Sequence, residues 1–190
     1  SRIELAIKHK ERILFYGDYD VDGTTSVSLC YLFFKQFYDN IDYYIPDRNK
    51  EGYGISYDGI DYAKEHNCPL VVALDCGIKA IDKINYANDR NIDFIICDHH
   101  TPGEEIPKAH AILNPKQANC TYPYKELSGC GIGFKLCQAY AEKNFIKLEK
   151  LFQFLDLLCI SIACDIVPVT GENRILAKFG LAQLNQSPSL

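Results

Sequence analysis

The sequence has no methionine, no C-x-x-C pair, no apolar run approaching a membrane span and no block of five or six basic residues. Two of these absences each remove a class of protein. Crossing a bilayer takes about 20 consecutive apolar residues, and no basic-then-apolar segment opens the chain in the manner of a signal peptide. A soluble, cytoplasmic protein without membrane association is expected. The nine cysteines are odd in number and unpatterned, whereas zinc sites and disulfide frameworks both use tighter spacing. Cys97 in DFIIC, and Cys159 and Cys164 in LLCISIAC, sit inside apolar runs, where a free thiol behaves as a small buried hydrophobe. With a net charge of −5, the chain does not announce a nucleic-acid groove by charge alone. A carboxylate-rich metal site is itself acidic until its cations load, so a phosphate substrate stays open. Ser1 at one end and residues 185–190 at the other read as the ends of a trimmed chain.

What is present is a globular composition, 47% hydrophobic over 190 residues, enough for one core or one core with a short appendage. Apolar runs occur at 13–16 (ILFY), 41–45 (IDYYI), 70–74 (LVVAL), 92–97 (IDFIIC) and 111–113 (AIL), with helical patterns at 24–37, 57–65 and 80–90. Short runs separated by helices predict strands buried on both faces of a parallel sheet. Beyond Gly131 the pattern turns helical, at 134–144, 148–163 and 173–184. The expected fold is α/β: a parallel sheet of about five strands flanked by helices over about 1–125, then a mainly helical C-terminal portion over about 126–190.

The acids fall where the runs end. GDYDVDG places Asp18, Asp20 and Asp22 just past the first run, Asp75 follows the third, Asp98-His99-His100 follow the fourth, and ISIAC leads into Asp165. In open α/β sheets, the edge at the strand C-termini is where ligands bind. Any one of these acids beside a glycine is an ordinary turn residue. Three alternating acids within five residues repel one another unless cations neutralise them, and in an extended loop all three could point the same way. Oxygen donors with one or two imidazoles, and no thiolate at motif spacing, suit Mn²⁺ or Mg²⁺ better than structural Zn²⁺. Two such ions about 3.5–4 Å apart support phosphoryl chemistry, and Asp75, alone on a central strand end, is the candidate bridge.

Together, DYDVDGTT (18–25), LDCG (74–77), DHH (98–100) and ACDIVP (163–168) resemble the motifs of the DHH phosphoesterase superfamily. IPDRNKEGYGIS (45–56), DHHTPG (98–103), ILNPK (112–116), LSGCGIGFKL (127–136) and DIVPVTGENR (165–174) resemble more closely its bacterial single-strand-specific exonuclease branch. The resemblance covers almost the whole chain. It implies a two-ion hydrolase that degrades single-stranded DNA from the 5′ end in repair and recombination. Asp20, Asp22, Asp75, His99 and Asp165 would hold the ions, with Asp18 as an additional ligand. His100 would face the scissile phosphate, with Asp98 of the same triplet and Arg48 assisting. Some relatives have a histidine four residues before the position of Asp20, where this chain has Tyr16. The resemblance also implies a C-terminal substrate-gripping domain outside this chain and single-strand-binding protein as a partner. Short-RNA or cyclic-dinucleotide hydrolysis are the neighbouring activities, and a non-catalytic replication scaffold is the rival from another class.

Further residues carry weaker signals. Arg48 and Lys50 sit on the acids' side of the chain and are either phosphate contacts or solvated loop charges. Ser128, Gly129, Gly131 and Gly133 precede a helix and either present N–H groups to phosphate or allow close packing. Arg174 either contacts substrate or simply starts a helix. Tyr53, Tyr57 and the Tyr43-Tyr44 pair are candidates for base stacking, while His9, His66 and His110 have no acidic cluster beside them.

Overall fold

A computed structural model describes residues 1–189; Leu190, the end of the segment read as trimmed, lies outside the described residues. The elements run α1 (Arg2–Lys8), β1 (Ile13–Gly17), α2 (Val21–Lys35), β2 (Ile41–Tyr44), α3 (Tyr57–Glu65), β3 (Leu70–Leu74), α4 (Ile81–Asn88), β4 (Asp93–Cys97), β5 (Ala111–Leu113), α5 (Gly129–Lys143), α6 (Glu149–Phe152), α7 (Leu155–Cys164) and α8 (Gly171–Gln186).

The five strands form one parallel sheet in the order β2-β1-β3-β4-β5, with β3 central. Strands β1 (ILFYG) and β3 (LVVAL) are buried at every position, as strands covered on both faces must be. Their alternate side chains feed two cores. Phe15, Val72, Leu74 and Ile95 meet Leu29 and Phe33 of α2, Phe134 of α5 and Leu158 of α7 on one face. Leu14, Tyr16, Val71, Ala73 and Phe94 meet Ile60 of α3 and Ile84 of α4 on the other. Strand order reverses between β1 and β3, the switch point at which such sheets bind ligands. The register sets Gly17, Leu74 and Cys97 level across β1, β3 and β4. The next residues, Asp18, Asp75 and Asp98, therefore leave the sheet at one height.

Several boundaries differ from the sequence pattern, each for a local reason. Helix α2 begins at Val21 rather than 24, because the Asp20 carboxylate accepts the Gly23 N–H and caps it. Helix α5 begins at Gly129, capped by Ser128. The helix expected over 148–163 breaks into α6 and α7 around Phe154, which is turned into the core. Helix α1, absent from the sequence reading, is closed by a capping box between Ser1 and Glu4.

Candidate metal centre

Four chain segments converge at the C-terminal edge of the sheet. Asp22 lies in the first turn of α2, Asp75 and His99 follow β3 and β4, and Asp165 caps the end of α7. His99 Nε2 lies 3.2 Å from Asp75 Oδ1, 3.6 Å from Asp165 Oδ2 and 3.8 Å from Asp22 Oδ2. Two overlapping donor sets result, Asp22–His99–Asp165 and Asp75–His99–His100. Asp18 Oδ2, Asp75 Oδ1, Asp165 Oδ2 and both ring nitrogens of His99 are buried without a hydrogen-bond partner. A buried polar atom left unpaired costs on the order of 1–3 kcal/mol, and here Asp75 Oδ1 and Asp165 Oδ2 lie within 3.6 Å of His99 Nε2, all three unpaired. Divalent cations would satisfy carboxylate oxygens and a neutral imidazole together, so the residues present fit Mn²⁺ or Mg²⁺.

Electrostatics agree with that reading. Burial, aided by Asp22, Asp20, Asp98 and Asp165, pushes the Asp75 carboxyl up to about 11. Burial, with Asp22 and Asp20, raises Asp165 to about 6, and burial also raises Asp18. For His99, burial lowers the proton affinity despite the nearby carboxylates, leaving the neutral ring that ligates a metal. The metal-free site thus carries less charge than its formal count.

The backbone shows how closely these groups are forced together. Asp75 has φ +61°, an uncommon conformation for a non-glycine residue. A Cβ on Gly129 would lie 2.5 Å from both Cβ and Oδ1 of Asp75, so only glycine lets α5 start against that side chain.

The expectation of an extended loop with three parallel acids is corrected here. Because α2 begins at Val21, the three acids take separate jobs. Asp18 is fully buried and accepts the Gly54 N–H at 3.2 Å. Asp20 is exposed and caps α2. Asp22 accepts from Gly129 N (2.6 Å), Cys130 N (2.8 Å) and Ser161 Oγ (2.6 Å). Asp18 and Asp20 belong to neither donor set, although Asp20 is near enough to act on Asp75 and Asp165.

Ser128, Gly129 and Gly131, read either as phosphate contacts or as a close-packing stretch, have their polar groups turned to partners within the protein. Their N–H and hydroxyl groups are buried and already engaged: Gly129 N on Asp22, Gly131 N on Ser128 Oγ, and Ser128 Oγ with Ser161 Oγ at 2.6 Å. The start of α5 grips a carboxylate of the protein itself, through the same N-terminal polarity that would attract an external anion.

Beside the donor sets, Asp98 is buried and holds the DHH turn. It accepts from Ile78 N (2.8 Å), His100 N (3.0 Å) and His100 Nδ1 (2.7 Å). Burial opposes its charge, but these bonds win and keep its proton affinity below the ordinary carboxylate value. The bond from Asp98 raises that of His100, whose Nε2 meets the Tyr53 hydroxyl at 3.1 Å. Arg48 is exposed in the loop after β2, its guanidinium 5.3 Å from the Tyr19 ring centre. Arg174 is exposed in the first turn of α8. The nine cysteines are all free, and seven are buried. Sequence reasoning missed Ser161, which had no motif to mark it. It also gave no role to Asn114, although the ILNPK stretch was in view.

Fold and site together define a carboxylate–histidine centre for divalent cations at the switch point of a parallel α/β sheet. Residues 12–162 match the DHH family, N-terminal domain, and the chain belongs to that family. It is 42% identical over 190 residues to the single-stranded-DNA-specific exonuclease RecJ of Bacillus subtilis, covering all of this chain and 23% of that protein. To the RecJ of Escherichia coli it is 34% identical over 189 residues, covering 94% of this chain and 33% of the relative. It thus spans a quarter to a third of these curated relatives. The crystal structure of exonuclease RecJ bound to manganese superposes with a TM-score of 0.87 at 29% identity, covering 98% of this chain and 47% of that one. No helix among the described residues is long and apolar enough to cross a membrane.

Proposed function

We propose that this chain is the metal-dependent catalytic part of a phosphodiesterase that removes nucleotides from the 5′ end of single-stranded DNA in repair and recombination. The observation that carries the reading is the convergence of Asp22, Asp75 and Asp165 on His99 with unpaired buried donor atoms. The choice of single-stranded DNA is supported by the relatives, which are single-stranded-DNA-specific exonucleases. Asp20, Asp22, Asp75, His99 and Asp165 would hold two Mn²⁺ or Mg²⁺ ions, with Asp18 assisting. Bound there, such ions neutralise the phosphate and acidify water at neutral pH.

The chain's own residues do the rest. Asp22 is fixed by three donated hydrogen bonds and offers a donor set that needs no rearrangement. Asp98 orients His100 and favours its protonated form, so that Nε2 donates to a non-bridging oxygen as negative charge grows on it. Tyr53 Oη holds that position until a phosphate oxygen takes it. Arg48 and Arg174 are exposed cations for backbone phosphates. The segment over about 126–190 acts as the helical part that brings the last acid to the sheet. A C-terminal domain of the longer protein would grip the strand, with single-strand-binding protein as a partner in the cytoplasm.

The test is a cleavage assay with Mn²⁺ on end-labelled single-stranded DNA, duplex DNA, short RNA and a cyclic dinucleotide, with Asp75→Asn as control. Loss of single-stranded DNA from the 5′ end, absent in the variant, is expected. Preference for RNA or the cyclic dinucleotide would overturn the substrate and keep the site.

A further inference from the structure

The loop that follows β5 lies at the same sheet edge as the centre and is fastened to it. Asn114 is almost fully buried; its Nδ2 donates to the His100 carbonyl at 2.9 Å, and its Oδ1 accepts the Lys116 N–H at 2.8 Å. One amide thus ties the DHH turn to the backbone of Lys116. The Lys116 side chain is half-buried, and among the described residues its ammonium makes no ion pair and no hydrogen bond. A half-buried lysine beside a carboxylate cluster would ordinarily be paired with one of its members. Its backbone is tied through Asn114 to the His100 carbonyl, and its charge lowers the proton affinity of His99, His100 and Asp165. Lys79, from the loop after β3, and Lys83, from α4, line a separate cavity beside Tyr53 and His100, with Lys83 lying over the Tyr57 ring.

We infer that Lys116 is a substrate-binding residue whose ammonium contacts a phosphate oxygen of the ester at the metal centre, and that Asn114 is the positioning residue that sets it there. The unpaired ammonium and the His100 ring, held by Asp98 through Nδ1, are the two groups this edge of the site offers to an anionic group. Both are carried on one hydrogen-bonded unit, so the spacing between them is built into the loop. A lysine suits this job as a compact charge on a flexible stem that follows a phosphate through its change of shape. The inference rests on the phosphodiesterase reading only in taking the substrate to be a phosphate ester.

The experiment measures inorganic phosphate binding to the Mn²⁺-loaded full-length protein by calorimetry, for the wild type, Lys116→Gln and Lys116→Arg. Mn²⁺ affinity is measured in the same three proteins. Loss of one charge-assisted contact is expected to weaken phosphate about tenfold in Lys116→Gln. Lys116→Arg should restore most of it, and Mn²⁺ affinity should not fall, because removing a nearby cation cannot weaken cation binding by charge. Phosphate affinity that survives Lys116→Gln overturns the inference. So does a loss that arginine fails to rescue, or one accompanied by weaker Mn²⁺ binding, since either marks a role in holding the loop. If the wild type cleaves none of the four nucleic-acid substrates while Lys116→Gln still loses phosphate, the substrate reading falls and the Lys116 contact stands.

Discussion

A carboxylate buried with one oxygen unpaired must find a proton or a cation, and Asp75 shows both options. Without metal, burial and four neighbouring acids hold its proton up to about pH 11, and Asp165 holds its own to about pH 6. The folded metal-free protein therefore binds these protons more tightly than the unfolded chain, where both acids titrate near pH 4. Stability from this source is fully present below about pH 4 and is lost as pH rises, because the folded state must surrender protons that the unfolded state has already released. The loss is steeper from pH 4 to 6, where both acids contribute, and continues above 6 through Asp75. Asp75→Asn should flatten the upper part: in chelator, its melting temperature should fall less than that of the wild type between pH 6 and 9. Asparagine tolerates the positive φ at this position, so the variant isolates charge from backbone strain. It should equal or exceed the wild type in metal-free stability and lose at least tenfold in Mn²⁺ affinity by calorimetry. A variant that is less stable in chelator at pH 8 would refute the account.

At the scale of elements, α5 acts on the centre through its first turn. Ser128 Oγ accepts the Gly131 N–H and shares a hydrogen bond with Ser161, which in turn donates to Asp22. Ser128→Ala removes a helix cap and a link in that chain together. It should cost about 1–2 kcal/mol in urea unfolding and weaken Mn²⁺ binding through Asp22; unchanged stability and affinity would mean that water replaces the hydroxyl. Strands β1, β3 and β4 were legible because continuous apolar runs ending in acids have few other interpretations. Even the central place of β3, and with it of Asp75, could be anticipated. The start of α5 was hidden because glycines at 129, 131 and 133 read as loop on helix propensity. Here close approach overrides propensity: Gly129 clears Asp75, and a Cβ at Gly133 would press on Cys30 and Leu74. The start of α2 was obscured because Asp20 was read as a ligand, although aspartate is equally a capping residue. Helix α1 did carry its S-x-x-E signature. The links from Ser161 to Asp22 and from Asn114 to His100 span 139 and 14 positions. No local pattern encodes pairs of that kind.

For the whole molecule, the donor atoms come from α2, from the ends of β3 and β4 and from the end of α7, so cation binding joins segments from one end of the sequence to the other. Binding to the folded state alone stabilises by about 2.7 kcal/mol at 100 times the dissociation constant. For a chain of this size that corresponds to a rise of about 5–11 °C in melting temperature. Mn²⁺ at that excess should produce such a shift and chelator should reverse it; a shift under 2 °C would mean that the unfolded chain competes for the metal.

His99 Nε2 stands within 3.8 Å of three different carboxylates, yet an imidazole nitrogen has a single lone pair and can give it to one ion. Two ions held here would therefore be chemically unequal. One would take His99 Nε2 together with carboxylate oxygens, and the other would depend on the remaining carboxylates and His100. A Mn²⁺ titration should accordingly resolve two steps of different strength; two identical steps would contradict it.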